Sequence, residues 1–182
     1  MLTLPHSGAH ATVFTLGRTV GDLCTALVGC LCRLGGVPER IVHDNDTSIV
    51  ATGAGKRARL HPEVTALLGQ LHTTAVPLAP RTPTSKGQVE RTIGYLETSF
   101  LPLRTFASLA DLQAQHDAWA AEVAFARHLR RTGARVADRH LVERGFLHRL
   151  PDPLPDTDLR LEARAGKDAF VRVLSADYSV PP

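Results

Sequence analysis

Short apolar runs bounded by turn residues alternate along this chain with segments whose apolar positions recur every three or four residues, the pattern of strands interleaved with helices. Residues 2–4 and 11–16 are read as two strands, joined by the turn Pro5-His6-Ser7-Gly8 and paired with each other. Thr19 is an N-cap residue with Asp22 in the first turn after it. Leu23, Ala26, Leu27, Cys30, Leu31 and Leu34 then fall at helical spacing until Gly35-Gly36 and Pro38 end the run. Residues 40–43 form a short apolar strand that runs into Asp44-Asn45-Asp46, residues 61–70 a helix opened by His61-Pro62-Glu63, and residues 73–78 another strand. A Pro/Thr/Ser run gives way to a long helix from Lys86 to Phe100, with Val89, Ile93, Leu96 and Phe100 as apolar positions and Pro102 as its stop. Ser108 and Asp111 have capping-box spacing, with Asp in place of Glu, ahead of a helix whose stripe is Leu109, Leu112, His116, Trp119 and Val123. Residues 127–149 predict two short helical pieces broken at Gly133, Pro151, Pro153 and Pro155 mark a linker, and residues 168–174 and 177–180 predict two closing strands.

Composition narrows this picture only a little. With 182 residues and 43% apolar content the chain can bury a core, and disorder is excluded. A net charge of +3 permits a DNA partner without requiring one. Only 3 of the 21 basic residues are Lys, a skew that GC-rich coding explains as readily as a nucleic-acid surface does. Cys24, Cys30 and Cys32 contain no C-x-x-C spacing and read as reduced, buried thiols. No run reaches the roughly 20 apolar residues of a membrane span, and the first residues do not form a signal peptide. The expected location is the cytoplasm.

Two basic stretches bear on partners. Residues 51–59 are a glycine-rich loop with Lys56 and Arg57, but the spacing is not that of a P-loop. The stretch is either a mobile loop near DNA or a solvated connection. Residues 127–149 carry seven Arg and three His against Asp138 and Glu143, either as a phosphate-contacting face or as a solvated one.

The candidate chemistry lies in two carboxylates. Asp44 leaves the end of a strand, where open α/β sheets place ligand sites. Glu90 lies early in the helix that follows the next strand, flanked by Lys86 and Arg91. Two carboxylates meeting there suit Mg²⁺, which prefers oxygen ligands, in the metal-assisted chemistry of phosphodiesters. A hydrolase built on His43, Asp44 and His72 is a weaker alternative, because those residues lack metal-ligand spacing.

Gly35-Gly36-Val37-Pro38, Ile41-Val42-His43-Asp44-Asn45 and Lys86-Gly87-Gln88-Val89-Glu90, in this order and spacing, resemble the catalytic core of insertion-sequence transposases of the IstA type. These belong to the superfamily of DDE transposases and retroviral-type integrases. The resemblance continues through Phe100-Leu101-Pro102 and Ser108-Leu109-Ala110-Asp111-Leu112 to Tyr178-Ser179-Val180-Pro181. It implies an α/β, ribonuclease H-like mixed sheet with flanking helices, lacking its first strand. Residues 1–105 would be a partial catalytic core, residues 106–150 a helical extension, and residues 151–182 a linker and an incomplete C-terminal β domain.

The resemblance makes Asp44 the second catalytic Asp and Glu90 the catalytic Glu, both as ligands of Mg²⁺ or Mn²⁺. Asp46 is a neighbour that falls where the family tends to be apolar. Lys86, Arg91, Lys56 and Arg57 are the DNA-contact candidates. The implied partners are transposon-end and target DNA, further copies of the chain, and an ATPase helper protein. The family's first Asp has no counterpart: Asp22 falls in a helix and Glu39 in a turn. The expectation is therefore a truncated copy, N- and C-terminally, that does not cut and join DNA alone. The alternative is a non-catalytic remnant that binds DNA or a full-length transposase.

Overall fold

Helix α1, Val20–Leu34, is the support on which two separate strand pairs rest. It starts where Thr19 and Asp22 satisfy each other's backbone N–H groups in a capping box. It ends at Gly35, whose left-handed conformation (φ 76°) lets its N–H turn back to the Leu31 carbonyl. The computed structural model describes residues 1–44, 46–53, 55–78, 83–130, 132–158, 170–173 and 176–179, without the side chains of residues 56, 83–86 and 88.

Strands β1 (Leu2–Thr3) and β2 (His10–Ala11) form an antiparallel pair. Strands β3 (Arg40–His43) and β6 (Thr74–Pro77) form a parallel pair in which Ile41 faces Ala75 and His43 faces Pro77. A parallel pair needs a crossover. Here it contains a small hairpin of β4 (Val50–Thr52) and β5 (Arg59–Leu60), followed by helix α2, Pro62–Gln70.

One edge of α1 (Cys24, Val28, Leu31) packs with Val64, Leu67 and Leu68 of α2, over Leu2, Ile41 and Ala75. The other edge (Cys30, Leu34) packs on Leu4, Ala9 and Ala11. Leu2 packs on both clusters, so β1 lies where the two meet. Among the described residues no ladder joins β1 to β3.

Helices α3 (Pro83–Ser99), α4 (Leu109–Trp119) and α5 (Val136–Arg144) follow. A third core of Leu96, Phe100, Trp119 and Ala124 joins α3 and α4 to Met1, Phe14 and Phe125. Strands β7 (Phe170–Val173) and β8 (Ala176–Ser179) make a separate antiparallel hairpin.

The mixed α/β class, the caps at Thr19 and Ser108 and the strands ending at His43 and Pro77 agree with the sequence. Several details differ. The strand expected at 11–16 ends at Ala11, because Gln113 of α4 takes over the backbone there, accepting from Phe14 N–H and donating to the Thr12 carbonyl. Residues 51–59 are not a plain loop but most of the β4–β5 hairpin with a 3-10 turn at Gly55–Arg57. Gly53 (φ 79°) is required there, since a Cβ would lie 2.3 Å from the Arg57 carbonyl oxygen.

Helix α3 begins at Pro83 rather than Lys86, and its phase is rotated. Thr92, Leu96 and Phe100 are buried, whereas Val89 and Ile93 are 41% exposed. After Trp119 the chain makes a π-helical turn, Ala120–Ala124, and the extra residue rotates Val123 outward and Ala124 inward. Among the described residues, 127–149 hold one helix rather than two. Its entry is the bridge between His128 and Arg135 around Gly133.

Candidate carboxylate site

Asp44 follows β3 directly and its side chain is exposed. The preceding His43 is buried, and its Nδ1–H donates to the Asp44 backbone carbonyl at 2.6 Å. That bond bends the chain where the strand stops. Asp46 has a different task. Its carboxylate accepts from the Ser48 N–H and hydroxyl at 2.8 and 2.7 Å and from Arg18 at 3.0 Å. The Ser48 hydrogen bonds, followed by Arg18, hold its carboxyl below the ordinary Asp range. Asp46 thus caps the turn that leads into β4, and its oxygens are engaged in doing so.

Glu90 lies two turns into α3, on its exposed side together with Arg91. The helix follows β6, the parallel neighbour of β3. Asp44 and the Glu90 helix therefore both leave the C-terminal ends of two adjacent parallel strands. Among the described residues no group of three His, Cys, Asp or Glu side chains is close enough to hold a metal ion. His43 and His72 do not supply one: His43 is turned to the backbone, and His72 occupies the positive-φ turn after α2 (φ 51°).

Of the basic candidates, Arg57 is exposed on the β4–β5 hairpin and Arg91 on α3. The side chains of Lys56 and Lys86 lie outside the described residues, as do Asn45, Val180 and Pro181.

Sequence reasoning missed the role of α5. Glu143 accepts from the N–H groups of His6 and Ser7, Arg139 donates to the His6 carbonyl, and His140 donates from Nε2 to the Leu34 carbonyl. The Arg144 guanidinium lies over Gly35, and His148 forms a bridge with Val37. The stretch that read as a basic face is in large part a clamp on the β1–β2 turn and on the end of α1. Its Arg count gave no hint of this, because carbonyl capping by Arg depends on partners more than 100 residues away.

Also missed was a buried cluster of His10, His116, Trp119, Phe100, Phe14 and Phe125. The stripe containing His116 and Trp119 pointed toward it. Nothing in the sequence around His10 did.

No protein-family model matches the chain. It is 32% identical over 164 residues to a putative transposase of Mycobacterium tuberculosis, covering 87% of this chain and 39% of the relative. It is 28% identical over 157 residues to the transposase for insertion sequence element IS21 of Pseudomonas aeruginosa, covering 86% and 40%. An IS21-like transposase of Bacteroides fragilis is 26% identical over 81% of this chain and 28% of its own length. The chain thus spans well under half of each relative. In fold it is similar to a chain of the cryo-EM structure of the simian T-cell lymphotropic virus intasome in complex with PP2A regulatory subunit B56 gamma. There the TM-score is 0.55 at 21% identity, covering 87% of this chain and 51% of that one. The resemblance carried by the G-G-V-P, D-N and K-G-x-V-E motifs is borne out: over more than four fifths of its length, the chain is similar to insertion-sequence transposases of the IS21 kind.

Proposed function

We propose that this chain is part of a ribonuclease H-like transposase core for cutting and joining DNA, with Asp44 and Glu90 as two of its three metal-binding carboxylates. The observation that carries the reading is that Asp44 and the helix bearing Glu90 follow, along the chain, two adjacent parallel strands, β3 and β6. Asp44 is preferred to Asp46 because the latter is committed to its turn. Two exposed carboxylates match the oxygen preference of Mg²⁺ or Mn²⁺. When bound, such an ion supplies activation of a water or 3′-hydroxyl and stabilisation of the leaving oxygen. The chain's own contribution is to orient the two carboxylates, and Arg91, Lys86, Arg57 and Lys56 are the proposed phosphate contacts.

Residues 1–182 alone are proposed to be incompetent for catalysis. Asp22 is held in the α1 capping box. Glu39 precedes β3 at its opposite end, roughly 16 Å along the strand from Asp44 at the usual rise per residue. Neither serves as the third carboxylate. The gap in the ladder between β1 and β3 fits the position of a further strand in this fold, and that strand would bring one.

In this reading residues 1–105 are core, residues 106–150 a helical extension and residues 151–182 a linker with the start of a β domain. The proposed partners are transposon-end and target DNA, further copies of the chain and an ATPase helper, in the cytoplasm. A strand-transfer assay with Mg²⁺ or Mn²⁺ tests the proposal. The purified chain is expected to give no product. In place of the matching segment of the Mycobacterium tuberculosis relative, it is expected to support transfer that Asp44→Asn or Glu90→Gln abolishes. Product from residues 1–182 alone that disappears with Glu90→Gln overturns the incompetence.

The second reading is DNA binding without cleavage. The exposed Arg57, Arg130, Arg135 and Arg149 favour it, while the α5 clamp removes Arg139 from its support. A salt-sensitive gel shift unchanged by both carboxylate substitutions, with an inactive graft, selects it.

A further inference from the structure

We propose that His10 and His116 form a proton-sensitive lock, closed only while both imidazoles are neutral, that anchors the C-terminal half of α3 to α4 and the β1–β2 hairpin. The inference goes beyond the transposase reading and does not depend on it.

The lock is a geometric fact first. His10, His116 and Trp119 form a triangle with ring-centroid separations of 6.5, 6.0 and 5.7 Å. Phe100 of the α3 end packs at 5.2 Å from His116 and 5.4 Å from Trp119, and Phe14 lies 5.4 Å from His116. His10 and His116 are 2% and 1% exposed. Both ring nitrogens of His10, Nε2 of His116 and Nε1 of Trp119 have no hydrogen-bond partner among the described residues. An imidazolium placed here would hold its charge away from water, with only the Gly8 backbone near His10 and the Asp117 carboxylate beside His116 to receive its protons, which a buried site disfavours.

The charged and titratable groups around the cluster add to this. Arg127, whose guanidinium lies over Tyr95 of α3, faces His10 and repels a second positive charge. His116 meets Asp117 on its own helix at 3.5 Å, and Arg33 of α1 and the N-terminal amine oppose its protonation. Asp117 is the main group that favours a proton on His116; it is shared with Arg33, which contacts it at 3.0, 3.2 and 2.9 Å, and burial outweighs it. Burial, then Arg127 and His116, pushes His10 down to about 4; burial likewise lowers His116.

The sign follows directly. A His that binds its proton more weakly in the closed state than in the open one contributes stability present above the ordinary His pKa. That stability is lost progressively as pH falls from about 6.5 toward 4. For His10 alone, the ratio of open to closed forms rises about 30-fold between pH 7.5 and pH 5. Opening frees the helix on which Glu90 is carried.

Trp119 is the single tryptophan of the chain, so its fluorescence reports the lock. Urea unfolding of the full chain is followed at pH 7.5, 6 and 5 for the wild type, His10→Phe and His116→Phe. The wild-type open fraction is expected to rise at least tenfold over this range, with most of the rise absent in His10→Phe and a smaller part of it absent in His116→Phe. His140, also lowered by burial, remains in all three proteins and cancels in the comparison. Equal pH dependence in wild type and both variants overturns the proposal. Should the variants not fold, an NMR titration of the wild-type imidazoles decides. A His10 still neutral at pH 5 supports the lock, and a His10 or His116 titrating near 6.5 overturns it.

Discussion

The two ends of α3 are built in opposite ways. Its C-terminal half delivers Leu96 and Phe100 into an aromatic core and ends against His116 and Trp119. Its N-terminal half presents Val89, Glu90, Arg91 and Ile93 to the exterior. The same helix is thus fixed at one end and open at the other. The role proposed for Glu90 requires its carboxylate to remain accessible, and its position then has to be set from elsewhere along a rigid element. Phe100 and its neighbours do the setting, and Glu90 is carried by it.

The largest test of this contrast is Phe100→Ala. Phe100 is fully buried, and its loss is expected to cost about 3–5 kcal/mol in urea unfolding. A cost near zero would remove the anchored end. The rotated phase of the helix is tested by a pair of variants: Leu96→Ala is expected to cost about 2–5 kcal/mol, and Ile93→Ala under about 1 kcal/mol. The reverse order would restore the phase that the sequence suggests. Glu143→Ala leaves the His6 and Ser7 N–H groups without an acceptor, and about 1–3 kcal/mol is expected; it reports the α5 clamp, which supports the buried end only. The smallest effects belong to the open end. Asp44→Asn and Glu90→Gln are expected to leave stability within about 0.5 kcal/mol of wild type, measured by the same urea curves. A large loss from either would mean that the carboxylate end is structural.

The sequence made the caps and the two strands at 40–43 and 73–78 legible because each rests on local chemistry. Thr19 with Asp22 and Ser108 with Asp111 satisfy backbone groups within one turn. The apolar runs ending at His43 and Pro77 are bounded by turn residues on both sides. The places of the candidate carboxylates were legible for a similar reason: Asp44 follows directly on a strand, and Glu90 lies in a helix that a short motif marks. The β4–β5 hairpin was not, since strands of three and two residues carry no period. The phase of α3 misled because two apolar residues, Val89 and Ile93, face outward while Thr92 is buried. Periodicity reports which residues are apolar, and tertiary contacts decide which of them are covered. The clamp and the His10 cluster depend wholly on contacts distant in sequence, which no window along the chain contains.

The Glu143 clamp also orders events in time. The turn at His6 and Ser7 leaves the ribosome before its side-chain acceptor is made, 137 and 136 residues later. At 5–20 residues per second, this turn waits roughly 7–27 s before it can be completed. During that interval Leu4, Ala9 and Ala11 lack the Val136 side of their core. The nascent chain therefore finishes this hairpin only once α5 has been made, and a shortened product ending before α5 would expose that unfinished hairpin for as long as it persists.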